Sequence, residues 1–295
     1  MVATALERLA TWRSRGTRAS EQTVKHGLTV LEDGGLKKLG DEAWNFLEQL
    51  TLASLDIGRL DIADECLEQL TEGFPGSPRV ECLKGLRIEA DNKPIEAIRF
   101  YEAALQEDDT NAALWKRKIA VLRSLGSQNV SQAVEELTIY LDTFYTDVEA
   151  WIELADVYAE LNLYSLSLQA LSHVLILASQ NPFYVLRFAE TAYTAGDIPL
   201  AHKMFLRVID MDEPEGSKSN ATKRAWWGVK LTAGRLLSSP NTPSESKTQP
   251  PSSDHLRLLD ELATERLAES YRSTSVTPQG QGRDVILAWL GGRKR

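Results

Sequence analysis

Long apolar runs are missing from this chain. No stretch approaches the roughly 18 consecutive apolar residues that a membrane-crossing helix needs. The most apolar segment, SLSLQALSHVLILAS, is short and is interrupted by Gln169 and His173, so no segment reads as a transmembrane helix. Cysteine is scarce. Cys66 and Cys82 are the two thiols in 295 residues, too few for the disulfide scaffold of a small secreted domain; both read as reduced core or half-buried residues. A basic excess is also absent. Lys and Arg number 33 against 42 Asp and Glu, for a net charge of −9. A sequence-independent nucleic-acid binder needs a basic surface to displace counterions from phosphates, and this balance argues against one. Hydrophobic content of 43% and charged content of 25% are ordinary for a globular protein.

Reactive constellations are missing as well. No Walker loop, dinucleotide fingerprint, HExxH or paired Cys-x-x-Cys occurs, and the glycines sit at turns. The four histidines, His26, His173, His202 and His255, are scattered and read as surface or half-buried structural residues, not metal ligands. A serine nucleophile would need a base and an orienting acid, whereas the serines concentrate in loops. The expectation is a non-enzyme with no cofactor and no metal. The first 20 residues carry Arg8, Arg13, Arg15 and Arg18 against one acid, Glu7. Their composition resembles a mitochondrial presequence, but an ordinary basic N-terminal helix is the preferred reading.

What is present is a period. Ala63, Ala97, Ala133, Ser167 and Ala201 are spaced 34, 36, 34 and 34 residues apart. Leu67, Tyr101, Leu137, Leu171 and Phe205 follow each by four. Gly58, Asn92, Gly126, Asn162 and Gly196 precede them, all residues that tolerate left-handed backbone. Gly85, Ala155 and Ala189 stand ahead of those turns, and Trp115 and Trp151 lie one repeat apart. A period near 34 in this order is the tetratricopeptide pattern of helix A, tight turn and helix B. Small residues at places eight and twenty let the two helices approach; large ones at places four, seven and twenty-four fill the space around them. Each pair leaves an apolar face that the next pair covers. The expected fold is all-α, a right-handed superhelical solenoid.

Five repeats fall at about 44–77, 78–111, 112–147, 148–181 and 182–215. Ser77-Pro78 and Asn181-Pro182 offer a capping side chain followed by a proline suited to a first helical turn. Thr146 and Glu149 read as a capping box for the fourth repeat. The third carries two extra turn residues and has Ile119 where a small residue is expected. The domain reading is an N-terminal helical extension over 1–43, a solenoid over 44–237 ending in a divergent sixth helix, a flexible Pro/Ser-rich loop over 238–253, and C-terminal helices and tail over 254–295.

Solenoids of this kind bind peptides or helices on a face lined by helix A. By spacing, the third repeat offers Lys116, Arg117 and Arg123 there. The fourth offers Glu149, Ile152, Glu153, Asp156 and Glu160, and the fifth Phe183, Leu186, Arg187, Glu190 and Tyr193. Alternating charge along such a groove would set the register of an extended or helical partner; the plainer reading is a solvated charged surface. Trp226, Trp227 and Trp289 make a candidate apolar patch for a partner. A carboxylate clamp for chaperone tails pairs a lysine with an asparagine one turn on, but Lys116 faces Ala120, which disfavours a freestanding co-chaperone or adaptor, the alternative reading.

Several non-consensus stretches carry a more specific likeness. FPGSPRVECLKGLRIEA (74–90), EAIRFYEAALQEDDTNAALWKRKIAVLRSLG (96–126), WRSRGTRASEQTV (12–24) and LGDEAWNFLEQLTLASLDIGRLDIADECL (39–67) resemble the subunit 2 family of the endoplasmic reticulum membrane protein complex, collinearly over about 12–235. The resemblance implies a non-catalytic repeat scaffold, peripheral on the cytosolic face of that membrane, in a complex that inserts tail-anchored and multipass proteins. It implies partners too: cytosolic segments of membrane subunits 3 and 5, and the soluble subunit 8 or 9.

Overall fold

Left-handed turns and small helix-facing residues build the architecture. A computed structural model describes residues 2–32, 34, 36–211, 220–271, 285–286 and 288–290. Among them there is no strand. The helices are α1 (Val2–Ser14), α2 (Ser20–Glu32) and the single turn α3 (Leu36–Leu39), followed by helix pairs. The pairs are α4 (Glu42–Asp56) with α5 (Leu60–Gly73), α6 (Pro78–Ala90) with α7 (Pro94–Glu107), α8 (Ala112–Ser124) with α9 (Val130–Thr143), α10 (Val148–Glu160) with α11 (Tyr164–Leu177), and α12 (Pro182–Ala195) with α13 (Ile198–Asp210). Two longer helices complete the set, α14 (Asn220–Ser238) and α15 (Ser253–Ser270). They gather into two compact units, Met1–Phe144 and Tyr145–Arg295. Within each, helices adjacent in sequence pack on one another in tetratricopeptide fashion. The expected end of the fifth repeat, beyond 211, and most of the tail after 271 lie outside the described residues.

The periodic residues do what their chemistry allows. Gly58, Asn92, Gly126, Asn162 and Gly196 all have positive φ, from 56° to 94°, which glycine and asparagine adopt at little cost. The small residues Ala63, Ala97, Ala133, Ser167 and Ala201 are all buried, as are the large ones four places on. Ser167 spends its hydroxyl inside the pair, donating at 2.8 Å to the carbonyl of Ala155, the small residue of the facing helix. The first-turn tryptophans serve the joints: Trp115 donates its indole N–H to the Asp109 carbonyl and Trp151 to that of Tyr145, each at 2.9 Å. Each indole therefore staples the loop that enters its own repeat.

Among the described glycines of the first unit, Gly85 has the least room for a side chain. A Cβ there would lie 2.1 Å from Cε1 of Tyr101 and 2.5 Å from its hydroxyl oxygen. Tyr101 is fully buried and donates its hydroxyl to Glu89, so the ring has nowhere to move. Gly85→Ala is expected to destabilise the first unit by about 2 kcal/mol, overpacking outweighing the gain of about 1 kcal/mol in helix propensity. Ala189→Leu, at the matching place in the second unit, is expected to cost roughly 1–3 kcal/mol. Denaturant midpoints check both; unchanged midpoints would mean that the helices separate freely at these places.

Several local expectations change. Asp147, not Thr146, caps α10: its carboxylate accepts from the backbone N–H groups of Glu149 at 3.1 Å and Ala150 at 3.2 Å. The spacing misled because the capping residue stands one place later. Ser77 precedes Pro78 but makes no side-chain cap bond, whereas Asn181 does, accepting from Phe183 N–H at 3.0 Å. The extra residues of the third repeat form a 3₁₀ turn, Ser127–Asn129. Ile119, where a small residue was expected, is buried.

The ends pack as helix pairs. Ala5 and Leu9 of α1 and Val24 and Val30 of α2 share one core with Leu47 and Leu50 of α4. Arg13 pairs with Glu42, and Arg18 reaches Asp56 through Nε at 2.9 Å, so two of the N-terminal arginines meet acids of the first repeat. At the other end α15 lies on α14, with Lys230 buried and its Nζ 2.6 Å from Asp260 Oδ2. The stretch expected as a flexible loop is tied down at Asp197. That buried carboxylate accepts from Ser244 Oγ and Ser246 N–H, both at 3.0 Å, while its other oxygen caps α13. Burial pushes this acid up, but the bonds from Ser246 and Ser244 prevail and hold it below the usual carboxylate range.

Candidate functional site

The candidate partner surface lies on the first helix of each repeat. In the second unit Glu149 and Glu160 are exposed at the two ends of α10, and Ile152, Glu153 and Asp156 are half-buried between them. On α12 Phe183 is 56% exposed, an aromatic presented to solvent. Leu186, expected beside it, is 2% exposed. It falls in phase with the core residues Val185 and Ala189, so it packs inward and drops out of the surface. Tyr193 is half-buried, with the Arg235 guanidinium 5.5 Å from its ring centre, a cation–π arrangement. In the first unit Lys116, Arg117 and Arg123 are half-buried on α8.

The charges on these faces are paired between successive repeats, a feature the spacing did not reveal. Glu48 of α4 meets Arg79 of α6 at 2.6 Å, and Glu89 of α6 meets Arg117 of α8, with Nε at 3.0 Å. In the second unit Asp156 of α10 meets Arg187 of α12, and Glu190 of α12 meets Arg224 of α14 at 2.7 Å. Each time an acid of one repeat accepts from an arginine of the next. Such partly exposed pairs each contribute about 0–1 kcal/mol. Their larger effect is on register, because only the native stacking brings every acid to an arginine. Arg117, Asp156, Arg187 and Glu190 therefore serve the stack, whatever else they touch. The recurring acid and arginine about one repeat apart was the signal available in the sequence.

Trp227 and Trp289 of the candidate apolar patch come together, ring centres 5.3 Å apart, and Trp227 donates to the Tyr271 hydroxyl at 3.3 Å. Trp226 is half-buried on the same helix. Trp289 is 38% exposed, while Leu290 beside it is buried.

The two thiols are held protonated by burial. Burial, with a smaller push from Glu65, drives the Cys66 thiol up to about 12, which leaves no thiolate at neutral pH. Cys82 is raised by burial too. Among the described residues no cluster of three or more His, Cys, Asp or Glu could hold a metal ion. Lys118 was missed by sequence reasoning. It occupies place seven of the third repeat, where a large apolar residue belongs, and a charge at a core place was the available signal. Its Nζ lies 2.7 Å from Glu136 and 3.6 Å from Glu102, below the Trp115 ring.

A family model described as the EMC2 TPR-like repeat domain matches residues 64–205. ER membrane protein complex subunit 2-A of Xenopus laevis is 36% identical over 244 residues, spanning 82% of this chain and 79% of that protein. TPR repeat protein oca3 of Schizosaccharomyces pombe is 35% identical over 207 residues, covering 68% of this chain and 70% of its own. Among solved structures, the C-terminal part of a TPR repeat-containing protein from Cytophaga hutchinsonii matches 88% of this chain and 96% of its own with a TM-score of 0.57 at 14% identity. That last likeness is one of fold.

Proposed function

The chain belongs to the EMC2 family, and from that premise we propose that it is a scaffold subunit of the endoplasmic reticulum membrane protein complex, holding cytosolic parts of the membrane subunits. The observation that carries the reading is the likeness to subunit 2 across 82% of the chain. The structure supports it physically. The described surface is that of stacked helix pairs, with side chains on the first helices available to a partner and no assembled reactive group. No helix among the described residues is long and apolar enough to cross a membrane; in this reading the partner subunits supply the attachment to it. The site is the cytosolic face, with segments of membrane subunits 3 and 5 and the soluble subunit 8 or 9 as partners, and the role is support of tail-anchored and multipass protein insertion.

In this reading Glu149, Ile152, Glu153, Asp156, Glu160, Phe183 and Tyr193 contact a partner in the second unit and Lys116 and Arg123 in the first. Trp226, Trp227 and Trp289 form a second contact. Asp156 has two candidate duties, to Arg187 and to the partner, and a charge swap separates them. Asp156→Arg combined with Arg187→Asp restores the inter-repeat pair with the signs reversed. Thermal stability is expected to return to within about 0.5 kcal/mol of the parent, as for exposed substitutions generally. Co-purification of the partner subunits is expected to stay reduced. Recovery of both would make these residues structural and remove them from the contact surface.

A further inference from the structure

We infer that the first unit carries an anchor pocket for a single large apolar side chain of a partner polypeptide, one flanked in its own chain by a basic residue. The pocket has a volume of about 290 Å³ and lies between α4, the loop after α5 and the start of α6. Its floor is Leu70, Val80 and Leu83, all buried. Trp44 and Phe74 form the wall, edge to face with ring centres 4.7 Å apart. Both are large apolar residues left partly open, 36% and 41% exposed. Asp41, Asn45, Glu48, Ser77 and Arg79 ring the mouth.

The wall is built by a specific choice in the chain. A Cβ on Gly73 would lie 2.5 Å from the Trp44 ring, so a larger residue at this place would push the indole aside. An apolar floor with aromatic walls and a polar rim is the usual make-up of a small recognition pocket. A leucine or phenylalanine side chain fits within this space, with room left for the apolar stem of a flanking lysine or arginine. The rim decides what flanks that anchor. Arg79 is engaged by Glu48 at 2.6 Å, and Arg13 pairs with the nearby Glu42. Among the described residues that line the pocket, two acids, Asp41 and Glu48, stand against one base, Arg79, a balance that favours a lysine or arginine beside the anchor and disfavours an acid. This surface involves other repeats than the contact residues proposed above, and the inference holds whichever assembly the chain joins.

The test uses the full chain labelled with 5-fluorotryptophan, the Trp44 fluorine signal being assigned by its loss in Trp44→Phe. The probe is a capped twelve-residue Gly/Ser peptide with a central Arg-Leu-Arg. The expected result is a saturable shift of the Trp44 signal with a dissociation constant of about 0.1–1 mM, as befits one anchor. Leu→Ala in the peptide is expected to weaken binding about tenfold or more, as is Phe74→Ser in the protein. Asp41→Lys is expected to weaken the Arg-flanked peptide several-fold and leave a Ser-flanked one unchanged. Phe74 and Asp41 are exposed, so both variants should fold; unchanged melting confirms it. A Trp44 signal that stays put up to about 5 mM peptide, far above that range, would overturn the inference. So would equal binding of the Ala peptide, or a Trp44 shift that follows protein concentration without peptide, which would make a second copy of the chain the occupant.

Discussion

Lys118→Met is expected to lower the stability of the first unit by about 3 kcal/mol, and adding Glu136→Leu to return most of it. The lysine side chain is 8% exposed and the glutamate 15%, so each charge depends on the other for solvation. Glu136 accepts from Lys118 through Oε1, and its Oε2 has no protein partner. Removing the ammonium leaves a carboxylate stranded among helices α7, α8 and α9. Glu102, 3.6 Å from Nζ with its side chain 44% exposed, can turn to water and contributes little. Methionine keeps the apolar stem that packs below Trp115, so the loss reports charge and not volume. Urea unfolding of the single and double variants measures the coupling. A double variant no better than the single would show that the pair adds nothing beyond packing.

Acid is expected to weaken the second unit through His202. This side chain is 1% exposed on α13, and its Nδ1 lies 2.8 Å from Thr232 Oγ1 of α14. The threonine hydroxyl donates to the Gly228 carbonyl at 2.7 Å, so it must accept from Nδ1–H. Nε2 is then a bare lone pair, buried with no partner. Burial pulls the imidazole down to about 4 from its ordinary 6.5. The folded state therefore binds the proton less readily than the unfolded chain. Stability from this group is complete above about pH 6.5 and is lost as pH falls toward 4, a total of about 3 kcal/mol. His202→Asn keeps a donor toward Thr232 and cannot titrate. Carboxylates elsewhere titrate in both proteins, so the difference between their stability profiles from pH 7 to pH 4.5 isolates the histidine. Parallel profiles would mean that the ring takes up its proton without cost.

Local chemistry made most of the repeat architecture legible. A positive φ requires Gly or Asn, and Gly58, Asn92, Gly126, Asn162 and Gly196 announced five turns. Close helix approach requires small residues, and Ala63, Ala97, Ala133, Ser167 and Ala201 marked it. What stayed hidden depends on partners distant in sequence. Lys230 reads as a surface lysine until α15 supplies Asp260. The serines of 244–246 look like linker until the buried Asp197 meets them. Asp156 and Arg187 look like two free groove charges until stacking joins them. Leu186 was placed on the surface by counting along a helix whose apolar face is wider than one stripe. Trp44 of α4 and Phe74 at the end of α5 meet edge to face, and no spacing rule pairs them.

The measurement that bears most directly on the scaffold role is a tagged pull-down from gently detergent-solubilised endoplasmic reticulum membranes, with the cytosolic fraction run in parallel. The expected result is recovery from the membrane fraction of a fixed, stoichiometric set of membrane subunits, together with one soluble partner. Recovery from cytosol only, alone or with chaperones, would contradict it: the likeness to subunit 2 would then be one of fold and ancestry, and not of role.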